Sequence, residues 1–449
     1  RRQRQMCIRD SDFMMSIPKY VSDVLNRLEE NGFSAYVVGG CVRDYLLGRP
    51  INDFDVATSA LPEEMLEIFK DYKTVDNGIK HGTVAVVSEN KLVEVTTFRS
   101  DGTYTDSRRP DSVSFERNIE EDLARRDFTI NAMAYRKSEG IIDLYGGQED
   151  LKNRLIRCVG NPHRRFSEDA LRIMRGMRFA SVLGFRIEEE TLSAMLETKS
   201  LLQKIAKERI TSEFRGMLLG ESVYDVLMSC REVIYELIPE LRIEDSYIMK
   251  KYPDITLWEH TVKAVSMSKN LCERLCMLLH DVAKPSCMVM VDDKEKYPNH
   301  AEKGAEIAKE ILSRFRFEKI VNTEVLKLIK NHSIRFPKAL ADMRRFVRDF
   351  GYDFTKDWLD IKYSDVFSKP HKESTAQLYY NAVRFFDEID EKKLCCIISE
   401  LNISGDDLKK FGIVGKNIGI VLNKLLEDVI SENCKNKREV LLKQALLYK

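Results

Sequence analysis

Residues 35–58 read AYVVGGCVRDYLLGRPINDFDVAT, and this stretch decides the fold of the first part of the chain. AYVV at 35–38 is a short apolar run that predicts a buried strand, and Gly39-Gly40 marks a tight turn after it. CVRDYLL then has helical spacing, and DFDVAT predicts a second strand. Residues i and i+2 of a strand face the same side, so Asp53 and Asp55 bring two carboxylates together while Phe54 points into the opposite layer. Hard oxygen ligands so placed can hold two Mg²⁺ ions, one on a nucleoside triphosphate and one activating an attacking hydroxyl. The Gly-Gly turn and the helix start add backbone N–H groups able to cradle phosphates. Each element alone is common; strand, turn, helix and strand in one run favour catalysis.

Working outward, Leu61-Pro62-Glu63-Glu64 opens a helix with Pro at its start. TVAVVS (83–88) and KLVEVTTF (91–98), separated by Glu89-Asn90, predict a β-hairpin. Its second strand carries Glu94, the natural third carboxylate beside Asp53 and Asp55. RSDGTYTDSRRPDSV (99–113) is a polar loop without apolar period, and loops this long inside a domain are usually functional. After about residue 163 the chain reads almost wholly helical: segments near 167–183, 189–197, 207–219 and 222–236, a break at Pro239, a second region from Leu257 to about 367, and a tail over 373–449. The tail has loop signals at Ser404-Gly405 and from Gly412 to Gly419.

The 449 residues carry 72 Lys and Arg against 72 Asp and Glu, which excludes a chain that binds nucleic acid through overall basicity. Residues 152–216, however, hold 14 basic against 8 acidic side chains, a local surplus suited to RNA phosphates. No apolar run approaches the roughly 18 residues of a membrane span, and the mean hydropathy of −0.34 agrees. The ten cysteines form no C-x-x-C pair or regular framework and read as reduced, mostly packing thiols of a cytoplasmic protein. RRQRQMCIRDSD (1–12) fits no targeting pattern and reads as a non-native or disordered leader, with a start at Met14 or Met15.

These segments resemble the class II tRNA nucleotidyltransferases, meaning bacterial CCA-adding enzymes and the related poly(A) polymerases of the DNA polymerase beta superfamily. The resemblance rests on GGCVRDYLLG with DFD, EVTTFR with the loop to RRPDSVSF, ARRDFTINAMAY (124–135), DLYGGQEDL (143–151) and SEDALRIMRGMRFASVLGF (167–185), in the family's order. It implies an α+β fold: a polymerase beta-like head with a mixed sheet over 13–160, then an all-α neck over 161–238. It implies Asp53, Asp55 and Glu94 as catalytic acids holding Mg²⁺. Gly39, Gly40, Arg43, Arg126, Asp127 and Asn131 would bind the nucleotide's ribose and phosphates. The loop at 99–113, with Asp106 and Arg108-Arg109-Pro110, would be mobile and take part in switching from C to A addition.

In SEDALR, Asp169 and Arg172 are three apart and are expected on one face of a helix, presenting an acceptor beside a donor. The Watson–Crick edges of C and A each offer an amino donor next to a ring-nitrogen acceptor, whereas G and U offer a carbonyl beside an N–H. One Asp-Arg pair can therefore accept CTP and ATP and reject GTP and UTP, the role the resemblance implies here. Glu168 would orient Arg172, and Arg175 and Arg178 would complete the nucleotide site.

Four of the seven histidines, His260, His280, His300 and His332, fall in helical contexts between 260 and 332. Imidazoles and carboxylates together suit a divalent metal. The pattern resembles the HD phosphohydrolases, which implies an HD domain over 239–370 with His260, His280, Asp281 and Asp365 as metal ligands. His300 and His332 would complete a second metal position. Ala283 stands where many HD sequences carry Gly, and Lys284 is kept. The tail, 371–449, carries no chemical motif. The expected function is template-independent addition of C, C and A to a tRNA 3′ end, with HD phosphohydrolysis beside it. The alternatives are a poly(A) polymerase of the same family and an HD phosphohydrolase with an RNA-binding head.

Overall fold

A computed structural model of the chain describes residues 15–101, 113–370 and 373–448. They form two units, Arg1–Pro239 and Glu240–Lys449. The leader at 1–12 and the loop residues Asp106, Arg108, Arg109 and Pro110 lie outside the described residues.

The first unit begins with α1 (Lys19–Glu30), whose stripe Val21, Val24, Leu25 and Leu28 recurs at helical spacing and is buried. Next come β1 (Ala35–Val38), α2 (Gly40–Leu46), β2 (Asp55–Thr58), α3 (Pro62–Ile68), β3 (Lys73–Gly78), β4 (Thr83–Ser88) and β5 (Lys91–Thr97). The β4–β5 hairpin turns through Glu89 (φ 48°) and Asn90 (φ 61°), both left-handed as a two-residue hairpin turn requires. After β6 (Arg99–Asp101), β7 (Val113–Phe115) and α4 (Ile119–Ala124), the chain returns to the sheet with β8 (Met133–Arg136) and β9 (Gly140–Asp143). The seven-stranded sheet has the order β3-β4-β5-β2-β1-β8-β9. It is mixed: β2 and β5 are parallel, and the other neighbours are antiparallel.

The unit continues through α5 (Gly147–Lys152), β10 (Leu155–Ile156), α6 (Pro162–Glu168), α7 (Leu171–Leu183), β11 (Arg186–Ile187), α8 (Glu189–Thr198), α9 (Lys207–Leu218), α10 (Val223–Ser229) and α11 (Arg231–Leu237).

Several expectations are corrected. Asp53 and Phe54 precede β2, because Val38, the last residue of β1, pairs with Asp55 and Gly39 then turns away at φ 77°. The predicted helix over 167–183 is two helices. Asp169 is extended (φ −139°, ψ 103°) and its Oδ1 accepts from Leu171 N at 3.0 Å, so the carboxylate starts α7 rather than sharing a face with Arg172. The segment 222–236 breaks at Cys230. The loop at 99–113 begins and ends in paired strands, β6 against β7. The region after 163 is not wholly helical, since β11 pairs with β10 in parallel.

The second unit carries α12 (Leu257–Met267), α13 (Leu271–Leu279), α14 (Lys284–Cys287), β12 (Val289–Val291), β13 (Lys294–Lys296), α15 (His300–Phe315), α16 (Lys319–Asn331), α17 (Leu340–Phe350) and α18 (Tyr352–Phe367). The β12–β13 hairpin, turning through left-handed Asp292 and Asp293, is a further departure from the all-helical reading. The tail holds α19 (Glu373–Glu391), α20 (Gly405–Lys410), α21 (Lys416–Ile430) and α22 (Arg438–Leu446). Ser404 caps α20, and Gly419, expected in a loop, lies inside α21. No helix among the described residues is long and apolar enough to cross a membrane.

Candidate active site and metal centre

In the first unit a cleft of about 490 Å³ opens beside the end of β1. It is lined by Gly39, Gly40, Arg43, Arg126, Asp127, Asn131, Asp169, Arg172, Arg175 and Arg178, all expected from the sequence. Asp55 also lines it, whereas Asp53 and Glu94 do not. Glu94 is nevertheless the parallel-register neighbour of Asp55. Burial pushes the Asp55 carboxyl up and Arg126 pulls it down, while the neighbouring carboxylates Glu94 and Asp53 add to the rise. A carboxyl raised in part by its acidic neighbours fits a divalent cation, which would relieve that repulsion. Among the described residues the three head carboxylates do not close into a compact ligand set.

Sequence reasoning missed the second layer that holds the cleft's arginines. Asp122, 1% exposed, accepts from Arg125 (Nη2, 2.7 Å) and Arg126 (Nη2, 2.9 Å) on the turn after α4. Its i+3 and i+4 spacing to these arginines was the available signal. Asp127 does not pair with them: its carboxylate accepts from Arg175 Nε at 2.7 Å, Asn131 Nδ2 at 3.1 Å and Phe128 N at 2.8 Å. Burial would raise the Asp127 carboxyl, but Arg175, the Asn131 amide and Arg172 outweigh it and hold its pKa at about 2. Arg43 bridges Asn131 Oδ1 (2.7 Å) and Asp44 (Oδ2, 2.9 Å).

Arg172 is 8% exposed. Its Nη1 donates to Glu168 Oε2 (2.9 Å) and Arg165 O (3.2 Å), and its Nη2 to Arg125 O (3.0 Å). Glu168, behind the cleft, thus fixes the guanidinium plane. Asp169 faces Arg209 of α9 at 3.4 Å. Phe179 lies under three guanidiniums, with Arg178 at 4.4 Å, Arg43 at 5.2 Å and Arg175 at 5.3 Å from the ring centroid. Arg125, Leu171, Phe179 and Arg209 line the cleft without having been singled out as site residues. Four of the fourteen basic side chains over 152–216, Arg172, Arg175, Arg178 and Arg209, therefore line this cleft.

In the second unit, His260, His280, Asp281 and Asp365 bring ligand atoms within 4.8 Å of one another, and Asp281, His300 and His332 form a second such set. Asp281 joins the two: Oδ2 lies 3.0 Å from His280 Nε2, and Oδ1 lies 3.6 Å from His332 Nε2. Three rings sit at helix ends, where Nδ1 bonds the carbonyl three residues back: His280 to Met277 O, His300 to Tyr297 O and His332 to Ile329 O, at 2.6–2.8 Å. His260 Nδ1 meets Ser368 Oγ at 2.9 Å. Each Nδ1–H is thereby committed outward and each Nε2 faces the cluster.

Burial pushes the His332 pKa down to about 4 and also lowers His300, so both are neutral. Their Nε2 atoms face each other at 3.2 Å, and with each Nδ1 donating to a backbone carbonyl both would present lone pairs there. Asp281 Oδ1 is buried and has no hydrogen-bond partner among the described residues. His280 differs: burial would lower it, but Asp281 and Asp365 raise it to about 9, so its proton must leave when a cation enters. Opposed lone pairs and an orphaned carboxylate oxygen fit divalent cations on both sides of Asp281. Ala283 costs nothing here: it is fully buried against Gly304 of α15, where a Cβ would lie 3.8 Å from the alanine methyl.

The fold and these two sites define the class: a polymerase-type head with a mixed sheet in the first unit, and in the second a helical body that gathers an HD-type histidine–aspartate cluster. Residues 35–157 match the Poly A polymerase head domain, 184–242 the "Probable RNA and SrmB- binding site of polymerase A", and 257–378 the HD domain. The chain belongs to the CCA-adding enzyme family: it is 36% identical to the CCA-adding enzyme of Ligilactobacillus salivarius over 94% of both chains. Against the CCA-adding enzyme of Enterococcus faecalis it is 56% identical, over 50% of this chain and 55% of the relative. The chain thus spans about half the length of the first curated relatives it matches. Its structure resembles that of the Bacillus stearothermophilus CCA-adding enzyme in complex with CTP (TM-score 0.66, 29% identity, 96% of each chain). It shares the fold of the Thermotoga maritima CCA-adding enzyme complexed with tRNA (TM-score 0.64, 22% identity, 96% of each chain).

Proposed function

We propose that the chain is a CCA-adding tRNA nucleotidyltransferase that extends a tRNA 3′ end with C, C and A from CTP and ATP, without a nucleic-acid template. The observation that carries this reading is the shared cleft: Asp55, the arginine array and the Asp169–Arg172 pair line one volume. Asp53, Asp55 and Glu94 would hold Mg²⁺, which when bound neutralises charge on the reacting phosphate. Arg126, Arg175 and Arg178 face the triphosphate, and Asp127 with Asn131 reads the ribose hydroxyls as acceptor and donor. Asp169 accepts from the exocyclic amine of C or A while Arg172 donates to the adjacent ring nitrogen. Because Glu168 and two backbone carbonyls hold Arg172, it cannot turn to accommodate the N–H of U or G. The RNA 3′-hydroxyl oxygen bonds to the α-phosphorus as its proton passes to solvent, the bond from the α-phosphorus to the α–β bridging oxygen breaks, and that oxygen keeps the electron pair and leaves as part of pyrophosphate.

The same reading divides the chain into head 13–160, neck 161–238, HD domain 239–370 and tail 371–449. It places the chain in the cytoplasm, where the nine described cysteines, all unpaired, stay reduced. The deciding experiment supplies Mg²⁺, each NTP and tRNA transcripts ending before CCA, before CA and before A. Addition of C, C and A followed by arrest is expected; long A tails would make the protein a poly(A) polymerase instead.

A second activity rests on a separate observation, the two ligand sets sharing Asp281. The HD cluster would hold one or two divalent cations and hydrolyse a phosphate ester at an RNA end. An H280A/D281A double variant that retains all phosphatase activity would remove this reading.

A further inference from the structure

Both carboxylates of the HD cluster already carry an ammonium group. Lys369 Nζ lies 2.6 Å from Asp365 Oδ1, the oxygen that His260 Nε2 approaches to 3.4 Å and His280 Nε2 to 3.6 Å. Lys284 Nζ pairs likewise with Asp281 Oδ2. Lys284 belongs to the HDVAK segment, whereas Lys369 lies far outside it, two residues past the end of α18. The Lys369 side chain is 13% exposed, and its only described ring contact is a distant one, Tyr252 at 5.8 Å.

This arrangement puts positive charge where a divalent cation has to come. Like charges about 3 Å apart on one carboxylate oxygen repel strongly even in a moderately polar interior, so a cation entering the cluster drives Lys369 off Asp365. Lys369 lies beyond the helix end, and its one described hydrogen bond is the one to Asp365, so no other described bond has to break for the ammonium to turn away. The displaced ammonium keeps its charge and three donors, which Asp365, engaged with the cation, no longer receives. The chemistry that satisfies it beside a bound cation is an anionic oxygen of the ligand.

We propose that Lys369 is a metal-released anion clamp, neutralising Asp365 while the cluster lacks a cation and turning to the oxygens of a phosphoryl group once a divalent cation binds. The proposal rests on the HD cluster being a metal site. It makes cation and phosphate binding cooperative, because the cation itself frees the residue that holds the anion.

The distinguishing property is sign. An ion pair that only supports the fold would, on removal, weaken both ligands, whereas a clamp competing with the cation has opposite effects on the two. The test uses the full-length chain carrying D53N and D55N, so that head cation binding is weakened equally in every variant, and titration calorimetry with Mn²⁺ and then with inorganic phosphate. Relative to this background, K369Q is expected to bind Mn²⁺ about tenfold more tightly and to lose about tenfold of its Mn²⁺-dependent phosphate affinity, the scale of one charged hydrogen bond. K369R, which keeps the charge, should resemble the background in both. Repeating the anion arm with an oligonucleotide ending in a 3′-phosphate and its 3′-hydroxyl counterpart separates an RNA end from free phosphate as the source. Weaker Mn²⁺ binding by K369Q, or unchanged phosphate affinity, overturns the clamp. No Mn²⁺ uptake sensitive to D281N in the background chain would instead overturn the HD metal reading beneath it.

Discussion

Asp55 of β2 and Glu94 of β5 stand opposite each other in the one parallel strand pair of the head sheet. With Asp53 also close enough to act on Asp55, Glu94 adds to the repulsion that raises the Asp55 carboxyl, which Arg126 offsets in part and a bound cation would relieve further. E94Q is therefore expected to separate two quantities. Nucleotide transfer should fall by more than about 100-fold as a metal ligand is lost, while the head, measured in EDTA, gains about 0.2–1 kcal/mol from relief of like-charge repulsion. Thermal unfolding beside primer extension checks both; parallel losses would mean that Glu94 only supports the sheet.

The Asp127–Arg175 pair yields a pH dependence. A carboxyl depressed from its ordinary 3.8 to about 2 contributes stability that is fully present above the ordinary value and disappears as pH falls through the folded one. The shift corresponds to about 2 kcal/mol. The stability gap between the parent chain and D127N should be flat from pH 8 to 5 and narrow between about 4 and 2. Both tryptophans, Trp258 and Trp358, lie in the second unit, so fluorescence reports that unit alone, and the part of the far-ultraviolet circular dichroism transition in urea that fluorescence does not follow reports the head. A gap that widens on acidification contradicts the assignment.

Phe179 serves as a floor for Arg43, Arg175 and Arg178. Each contact is worth about 0.5–1 kcal/mol, so F179L loosens the arginines without removing charge. We expect KM for CTP and ATP to rise together by about three- to tenfold, with kcat and the CTP:ATP preference unchanged. Steady-state kinetics on both nucleotides decides; a change confined to one of them would mean that the ring touches the base.

What was legible in the sequence follows from local physics. Alternating Val and Thr, the Gly-Gly turn and the Pro that starts α3 announced β1, α2, β2, α3 and the β4–β5 hairpin, because each signal lies within or directly beside the element it specifies. Histidine scarcity made the HD cluster visible, since His260, His280, His300 and His332 have few competitors. The break at Asp169 was hidden because both flanks are helical and the interruption is made by a side chain capping Leu171 N. Phe179 and Arg209 were silent for another reason: one reads as an ordinary apolar helix residue and the other as an exposed charge. Their roles arise only when the head turn and α9 converge on α7. The β12–β13 hairpin was missed because Asp-Asp is not a strong turn signal for left-handed backbone.

The position of Asp169 ahead of α7 makes it testable apart from Arg172. D169N keeps an oxygen to accept from Leu171 N, so the helix start is preserved, but its other group becomes a donor. Incorporation of CTP and ATP should drop by about 10²-fold, as for a site whose hydrogen-bond partner is mismatched, while UTP is not penalised, so the preference narrows. Single-nucleotide incorporation assays measure this; an unchanged preference with reduced rate would return Asp169 to a purely capping role.

The HD cluster predicts a linkage that needs no substrate. Trp258 precedes His260 by two residues on α12, and Trp358 lies on α18 with Asp365, so tryptophan fluorescence reports unfolding of the elements that carry the ligands. A divalent cation at 100 times its dissociation constant stabilises a native site by about 2.7 kcal/mol. Unfolding followed by fluorescence should therefore shift upward on adding Mn²⁺ and return on adding EDTA. In D281N, which loses the carboxylate shared by both ligand sets, the shift should vanish even though His260, His280, His300 and His332 remain. Persistence of the full shift in D281N would mean that the cation binds elsewhere, because no arrangement of the described ligands joins the two sets without that residue.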